Sequence, residues 1–423
     1  MLETDIHAAF EYAYPLFAVA KTRDQCLRDN GAHAPQAPNT VRHERELSDH
    51  LSRWITSPNN DTLYSNAWLD LSCGPVRVIV DRQPADRYWS LAFMDAFSNH
   101  FSVVGQRLDG IGPVDLTLVG PGQSAPAGAD RVICAPGMDV WLLCRWLVEG
   151  PHDLEKCHAM QDRMRIEPMG MRALNQAPPV DVSHDPGHFL EVVNHALGRN
   201  PPPPRDTDRL HAWASLGIRP GEREIWSRLE PTVQEAWQSL IGPAHDKVRA
   251  SAAKGRRLMQ GWVASAPEMG NFGDNFALRA SVAMGGLAAL EPLEAMYFVR
   301  FSDDDGQPLD GRYRYLLRVA ASDIPTDSFW SFTMYEPTAD GRRFFVDNQI
   351  GRYSIGNRTL GLQRQIDGSL DIVVQRELPT DAQARANWLP CAPGTFQVAL
   401  RTYLPRAELR EGRSEMPRLL RQS

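Results

Sequence analysis

A carboxylate, a hydroxyl and a phenol follow one another in Asn60-Asp61-Thr62-Leu63-Tyr64, just ahead of an apolar run. Buried at a domain mouth, Asp61 could take a proton and Tyr64 could give one, because desolvation tunes both groups. The same Asn-Asp-Thr pattern also caps strands and helices through local side-chain to backbone bonds. Arg87, Asp95, Arg107 and Arg145 lie in or beside apolar runs. A buried charge is costly unless matched, so each is expected to meet an opposite charge or an ionic ligand. In the second half, Arg279, Arg352, Tyr353, Asn357, Asn387 and Trp388 form a comparable set. An arginine with aromatic neighbours can grip a carboxylate through two parallel bonds and stack on a flat molecule. It can equally pin a hairpin.

Metal signals are weak. Ser302–Gly311 (SDDDGQPLDG) clusters carboxylates as calcium would want, but an EF-hand needs Glu at its twelfth position, and counting from Asp303 that residue is Arg314. His184 and His188 have the spacing of a helical pair, yet Pro186 and Gly187 separate them and no Glu completes a zinc motif. No metal ligand is assigned. The GxSxG elbow, the GxxxxGK[ST] loop and a GxGxxG after a first strand are all absent, so no nucleotide or flavin cofactor is expected. Six cysteines lie scattered without a CxxC pair, which signals neither a disulfide framework nor a structural zinc.

The elements that must hold these residues follow a β, then α, then β plan. Helical spacing runs over 5–22, and 41–53 is a charged amphipathic stretch. Short β-rich runs follow at 67–71, 76–80, 88–93, 116–119 and 131–134, with turn signals between them. Leu154–Met164 reads as helix with Asp153 as its cap, and helices continue over 232–241, 244–264 and 277–290. Strands return at 295–301, 313–320, 329–335, 372–375 and 396–403, joined by the pairs Asp305-Gly306, Asp310-Gly311, Asp340-Gly341 and Asp367-Gly368, which suit turns with positive φ. The chain thus divides into a helical segment at 1–58, a first β-domain at 59–150, a helical connecting region at 151–293 and a second β-domain at 294–423. The fold class expected is mainly β with α: two β-sandwich or jelly-roll-like domains joined by a helical region.

Two series of motifs carry a family resemblance. Asn59 to Leu71 leads on through Arg87-Tyr88-Trp89, Phe93-Met94-Asp95, Gly105, Arg107, Val140-Trp141 and Arg145 to Gln161. Phe329 to Tyr335 leads on through Arg352-Tyr353-Ser354-Ile355-Gly356, Asp367-Gly368-Ser369, Asn387-Trp388-Leu389-Pro390, Arg401 and Tyr403. In order and spacing these resemble the bacterial proteins that pair the domains of unknown function numbered 1254 and 1214. The resemblance implies two β-domains of jelly-roll character, a helical region between them and homo-oligomers; it implies no reaction. The chain departs from the pattern at Glu411–Pro417, where relatives carry a Trp, and at Cys391, where Ala is common.

Composition bounds the function. With 423 residues, 43% apolar and 23% charged, the chain can bury a large core. A net charge of -7, with basic residues dispersed, provides no face for nucleic acid. No segment has the ~20 apolar residues that span a bilayer, and acidic Glu3 and Asp5 stand where a signal peptide would be basic; the cytoplasm is the expected location. The function expected is an enzyme working without a cofactor on a small polar or anionic molecule, by hydrolysis, elimination or isomerisation. Asp61, Tyr64 and Arg87 would act on it, while Asn60, Asp95, Arg279, Arg352, Tyr353, Asn387 and Trp388 would bind it. The alternative is a non-catalytic carbohydrate-binding or structural protein presenting Trp68, Trp89, Trp330 and Trp388 as stacking surfaces.

Overall fold

The computed structural model describes residues 2–28, 34–53, 56–171, 177–181, 184–251, 257–339 and 341–422. The protein is mainly β with a helical layer, in two sandwiches. The first is built from β1 (Val41–His43), β2 (Thr62–Asp70), β3 (Val76–Val80), β4 (Trp89–Met94), β5 (His100–Gly105), β6 (Val114–Val119), β7 (Val132–Cys134), β8 (Asp139–Leu147) and β9 (Met164–Pro168). A sheet ordered β1-β2-β8-β4-β5 packs on one ordered β7-β6-β3-β9. The period of two decides what each strand contributes. Leu63, Ala67 and Leu69 of β2, Trp89, Leu91 and Phe93 of β4, and Val140, Leu142 and Trp146 of β8 enter the sandwich core. Tyr64, Tyr88 and Arg145 therefore emerge on the other face of the five-stranded sheet.

The second sandwich repeats this logic. Its strands are β10 (Arg257–Met259), β11 (Trp262–Ala264), β12 (Ala295–Arg300), β13 (Arg314–Val319), β14 (Trp330–Pro337), β15 (Arg343–Phe344), β16 (Ser354–Gly356), β17 (Leu370–Gln375), β18 (Trp388–Pro390), β19 (Gln397–Tyr403) and β20 (Arg418–Gln422). The larger sheet runs β10-β11-β12-β19-β14-β15, with β16 beside β14; the smaller runs β18-β17-β13-β20. Trp330, Phe332 and Met334 of β14 and Val398 and Leu400 of β19 enter the core between them. Ser331, Tyr335, Arg401 and Tyr403, at the alternate positions, emerge on the opposite face. That face meets the outer face of the first sandwich: Tyr88, Ala92, Val103 and Leu147 pack there with Ala295, Phe329 and Tyr403. Both outer faces carry polar groups, so the seam between the sandwiches is polar as well as apolar.

Helix Leu2–Leu27 packs with Pro186–Arg199, Pro231–Ser251 and Phe276–Gly285 in one core around Phe10, Phe189 and Trp237. Arg199 fixes this layer to the first sandwich by reaching Asp139 and Asp70, each at 2.8 Å. Among the described residues no helix is long and apolar enough to cross a membrane.

Several local expectations give way to tertiary context. The charged amphipathic stretch 41–53 forms β1 and irregular chain, because β1 finds a partner in β2. The expected helix 244–264 ends at Ser251, and Arg257–Ala264 turns back as the β10–β11 hairpin, whose β11 joins β12; 252–256 lie outside the described residues. The helix after Asp153 stops at Gln161, so Met164 starts β9, and Asp153 caps nothing because its carboxylate goes to Arg87. Strands β5 and β8 escape the reading of short β-rich runs, although Pro136-Gly137 marks a turn just ahead of β8. Gly306 has the expected φ of 78°. Gly311 does not: it is required because a Cβ there would lie 1.7 Å from the Ala392 carbonyl oxygen. Of the Asp340-Gly341 turn, Asp340 lies outside the described residues.

Candidate functional site

A cleft of about 300 Å³ opens at the seam between the sandwiches. Its first wall is the start of β2 and the turn after β8, with Asn60, Asp61, Glu149 and His152; its second wall is β14, β16 and the loop before β16, with Ser331, Arg352, Tyr353 and Ser354. Such a volume, with polar groups converging from two domains, suits a small molecule.

Asp61 lines this cleft, 8% exposed. Its position is set locally: its N–H donates to Asn59 Oδ1 at 2.9 Å, and its carbonyl accepts from Val148 at 3.0 Å. The carboxylate reaches the other sandwich. Ser331 Oγ donates to Oδ2 at 2.5 Å, and Ser354 Oγ donates to Oδ1 at 3.0 Å. Neighbouring antiparallel strands supply both serines, since Phe332 pairs with Ile355 in the β14–β16 ladder.

Arg352 faces the same space. Its Nη1 donates to the carbonyls of Ala386 at 3.0 Å and Trp388 at 2.8 Å, and among the described residues it has no carboxylate partner. Burial pushes its pKa down, yet a guanidinium remains a cation at neutral pH. Arg358, by contrast, is tied to Glu149 at 3.1 Å. The Tyr353 hydroxyl meets His50 Nδ1 at 2.9 Å, and its ring stacks on Phe345.

The structure thus brings Asn60, Asp61, Arg352 and Tyr353 together and places the other expected site residues elsewhere. Tyr64 lies one layer inward: Asn59 Nδ2 donates to its hydroxyl at 3.3 Å and to that of Tyr403 at 3.1 Å, which puts Asn59 between the phenol and Asp61. Burial pushes the Tyr64 phenol up, but the combined pull of Arg145, Asn59, Arg401 and Thr62 leaves it below its usual value. Arg87, 5% exposed, is consumed by Asp153 through bonds of 2.5 and 2.7 Å.

Asp95 folds its own turn, accepting from the Phe97 and Asn99 N–H groups at 2.9 and 2.8 Å. Arg279 is buried in the helical layer, 4.9 Å from the Phe276 ring centre and 5.1 Å from that of Tyr12. Asn387 staples a loop, donating to the Gln363 and Asp371 carbonyls at 2.7 and 2.9 Å. Trp388 is core and donates to the Gln375 carbonyl at 2.8 Å. Trp68, Trp89, Trp330 and Trp388 are each at most 2% exposed, so they offer no open stacking surface.

Sequence reading missed Ser331, Ser354, Glu149, His152 and Arg358. The alternation of apolar residues in Trp330-Ser331-Phe332 carried a signal, since Ser331 must face away from the core that its neighbours fill. Among the described residues no three His, Cys, Asp or Glu side chains gather as metal ligands. The carboxylates of Ser302–Gly311 bond locally: Asp303 accepts from the N–H groups of Asp305 and Gln307, and Asp304 pairs with Arg300 and Arg418.

Residues 38–168 match the family model described as a protein of unknown function, DUF1254, and residues 294–407 match that described likewise as DUF1214. Among solved structures, the VPA0106 protein from Vibrio parahaemolyticus is similar over 100% of both chains, with 21% identity and a TM-score of 0.76, a likeness of fold. An uncharacterized protein from Burkholderia cenocepacia aligns over 98% of this chain and 88% of its own, at 14% identity and a TM-score of 0.47. No curated protein matches.

Proposed function

We propose, for a chain that belongs to the proteins pairing a DUF1254 domain with a DUF1214 domain, an enzyme that performs acid/base chemistry on a small anionic molecule in the interdomain cleft. One observation carries this reading. Asp61 is a carboxylate lining the cleft, held at both oxygens by hydroxyls of the opposite sandwich, with Arg352 on the same walls and no acid among the described residues to neutralise it.

Each part has a chemical task. Arg352 would bind the anionic group, and a guanidinium whose hydrogen bonds run to carbonyls keeps its full charge for the ligand. Asp61 would take a proton from the bound molecule or from water, since a carboxylate within hydrogen-bond reach of its substrate can act as general base. Ser331 and Ser354 fix the rotamer of that carboxylate. The Ser331 hydroxyl, 2.5 Å away, could return the proton to a leaving group. Hydrolysis, elimination and isomerisation share the first proton transfer. Tyr64 and Arg87 take no part in this scheme, because Asn59 and Asp153 occupy them.

The test is a thermal-shift screen of short mono- and dicarboxylates, hydroxy acids and their amides on the full chain, followed by NMR of each stabilising compound for turnover. Arg352→Gln should abolish the shift, whereas Asp61→Asn should keep the shift and lose turnover. Binding without turnover in the parent protein, unchanged by Asp61→Asn, would instead make this a binding protein.

A further inference from the structure

The two outer faces meet around a cation that no acid among the described residues offsets. Arg145, 4% exposed, makes one hydrogen bond, from Nη2 to the Ala288 carbonyl at 2.8 Å, while Nη1 is buried with no partner. Its guanidinium carbon lies 5.4 Å from the centre of the Tyr64 ring, and Tyr297, Tyr403 and Tyr88 are also within its electrostatic reach. Arg352, at the cleft, likewise has no carboxylate partner among the described residues, whereas two other seam charges are offset. Glu294 binds Arg107 at 2.7 Å, and Arg401 feels the carboxylate of Asp61. Burial, then the field of Arg145, pushes His100 down to about 3, so it is neutral and adds no second cation.

Three phenols complete the surroundings. The hydroxyls of Tyr64 and Tyr403 accept from Asn59, and that of Tyr297 accepts from the Leu290 N–H at 3.4 Å. Each hydroxyl keeps its own hydrogen to give, and none has an acceptor among the described residues. Tyr64 and Tyr297, on facing sheets, are only half-buried, as is Leu143 on the same face of β8, so the seam is not fully packed there. An unpaired buried guanidinium is strongly unfavourable, and phenol hydrogens beside a guanidinium leave several donors that an anion would satisfy.

We propose that this part of the seam binds a small monovalent anion, halide or carboxylate, through Arg145 Nη1 and the hydroxyls of Tyr64, Tyr297 and Tyr403. One surplus cation calls for one negative charge. The site lies on the inner side of Asn59, whereas the cleft lies on the side of Asp61, so the two can fail separately. The competing source of negative charge is Tyr64 itself as a phenolate, which Arg145 would also favour.

The experiment is a titration of the full chain with bromide and with formate at constant ionic strength, using gluconate as the replacement salt, together with anomalous diffraction from bromide-grown crystals. Melting temperature should rise to saturation, and an anomalous peak should lie beside Arg145 Nη1. Tyr297→Phe, which removes one hydroxyl and keeps the ring, should weaken the anion about tenfold, as loss of one charge-assisted bond does. A flat titration with no peak in the seam would overturn the proposal. So would a tyrosinate absorption band at neutral pH that disappears in Tyr64→Phe, since Tyr64 would then be the counter-ion.

Discussion

Arg87 and Arg145 belong to the same sandwich and are buried to nearly the same degree, 5% and 4% exposed, but they live in opposite electrostatic settings. At the rim, Arg87 meets Asp153 through two bonds, and Arg199 likewise grips Asp139 and Asp70. In the seam, Arg145 and Arg352 find carbonyls, hydroxyls and phenols. A paired guanidinium is finished chemically and contributes structure. An unpaired one still has an attraction to give, so an anionic ligand would bind in the seam.

The sharpest test of the rim is Asp153→Ala, which removes both direct bonds of Arg87 and leaves it only more distant carboxylates. Breaking a buried pair from one side costs about 3–5 kcal/mol, measurable as a fall in urea midpoint. A loss under about 1 kcal/mol would mean that Glu149, 3.8 Å from Arg87, takes over the pairing.

The seam makes its own prediction through His100. Its native pKa is about 3 against an ordinary 6.5. A histidine depressed in the folded state contributes stability that is complete above pH 6.5 and is lost as the pH falls towards about 3, because the unfolded chain binds the proton first. Melts across that window should show a loss of about 4 kcal/mol, and His100→Gln should flatten it. An unchanged slope in the variant would assign the acid sensitivity to other groups.

Arg199→Met tests the second rim clamp. Asp139 retains Asn200 at 2.9 Å and Asp70 retains Ser72, so the expected loss is only about 2 kcal/mol. It should appear as faster hydrogen exchange in Pro186–Arg199. The smallest effect belongs to Arg352→Gln, whose stability should move by less than about 1 kcal/mol because only two carbonyl bonds are lost. Calorimetry of ligand binding should nevertheless register it strongly. A large fall in stability there would erase the distinction between rim and seam.

Much of the fold was legible because alternation of two and clear turn residues mark a half-buried strand wherever it lies. Trp330-Ser331-Phe332-Thr333-Met334 announces its inward and outward faces by itself, and so does Val76 to Val80. The hairpin Arg257–Ala264 was not legible, since its strands are three residues each and exist by pairing with β12. Within the candidate site, Asp61 and Arg352 stood out as charges beside apolar runs. Ser331 and Ser354 did not, because a serine acquires meaning only from the carboxylate it faces, 270 and 293 residues away.

The sequence by itself determined two β-domains around a helical region, the chemistry available on each strand face, and the presence of arginines that burial would make expensive. Only the tertiary structure decided which of those arginines meets an acid. Asp153 reaches Arg87 across 66 residues of chain, while no carboxylate approaches Arg145 among the described residues. The physical reason is that charge pairing acts over a few ångströms, whereas sequence proximity fixes distance only within a turn or a ladder. The pairing that separates a structural arginine from a binding one is set by how the sheets pack.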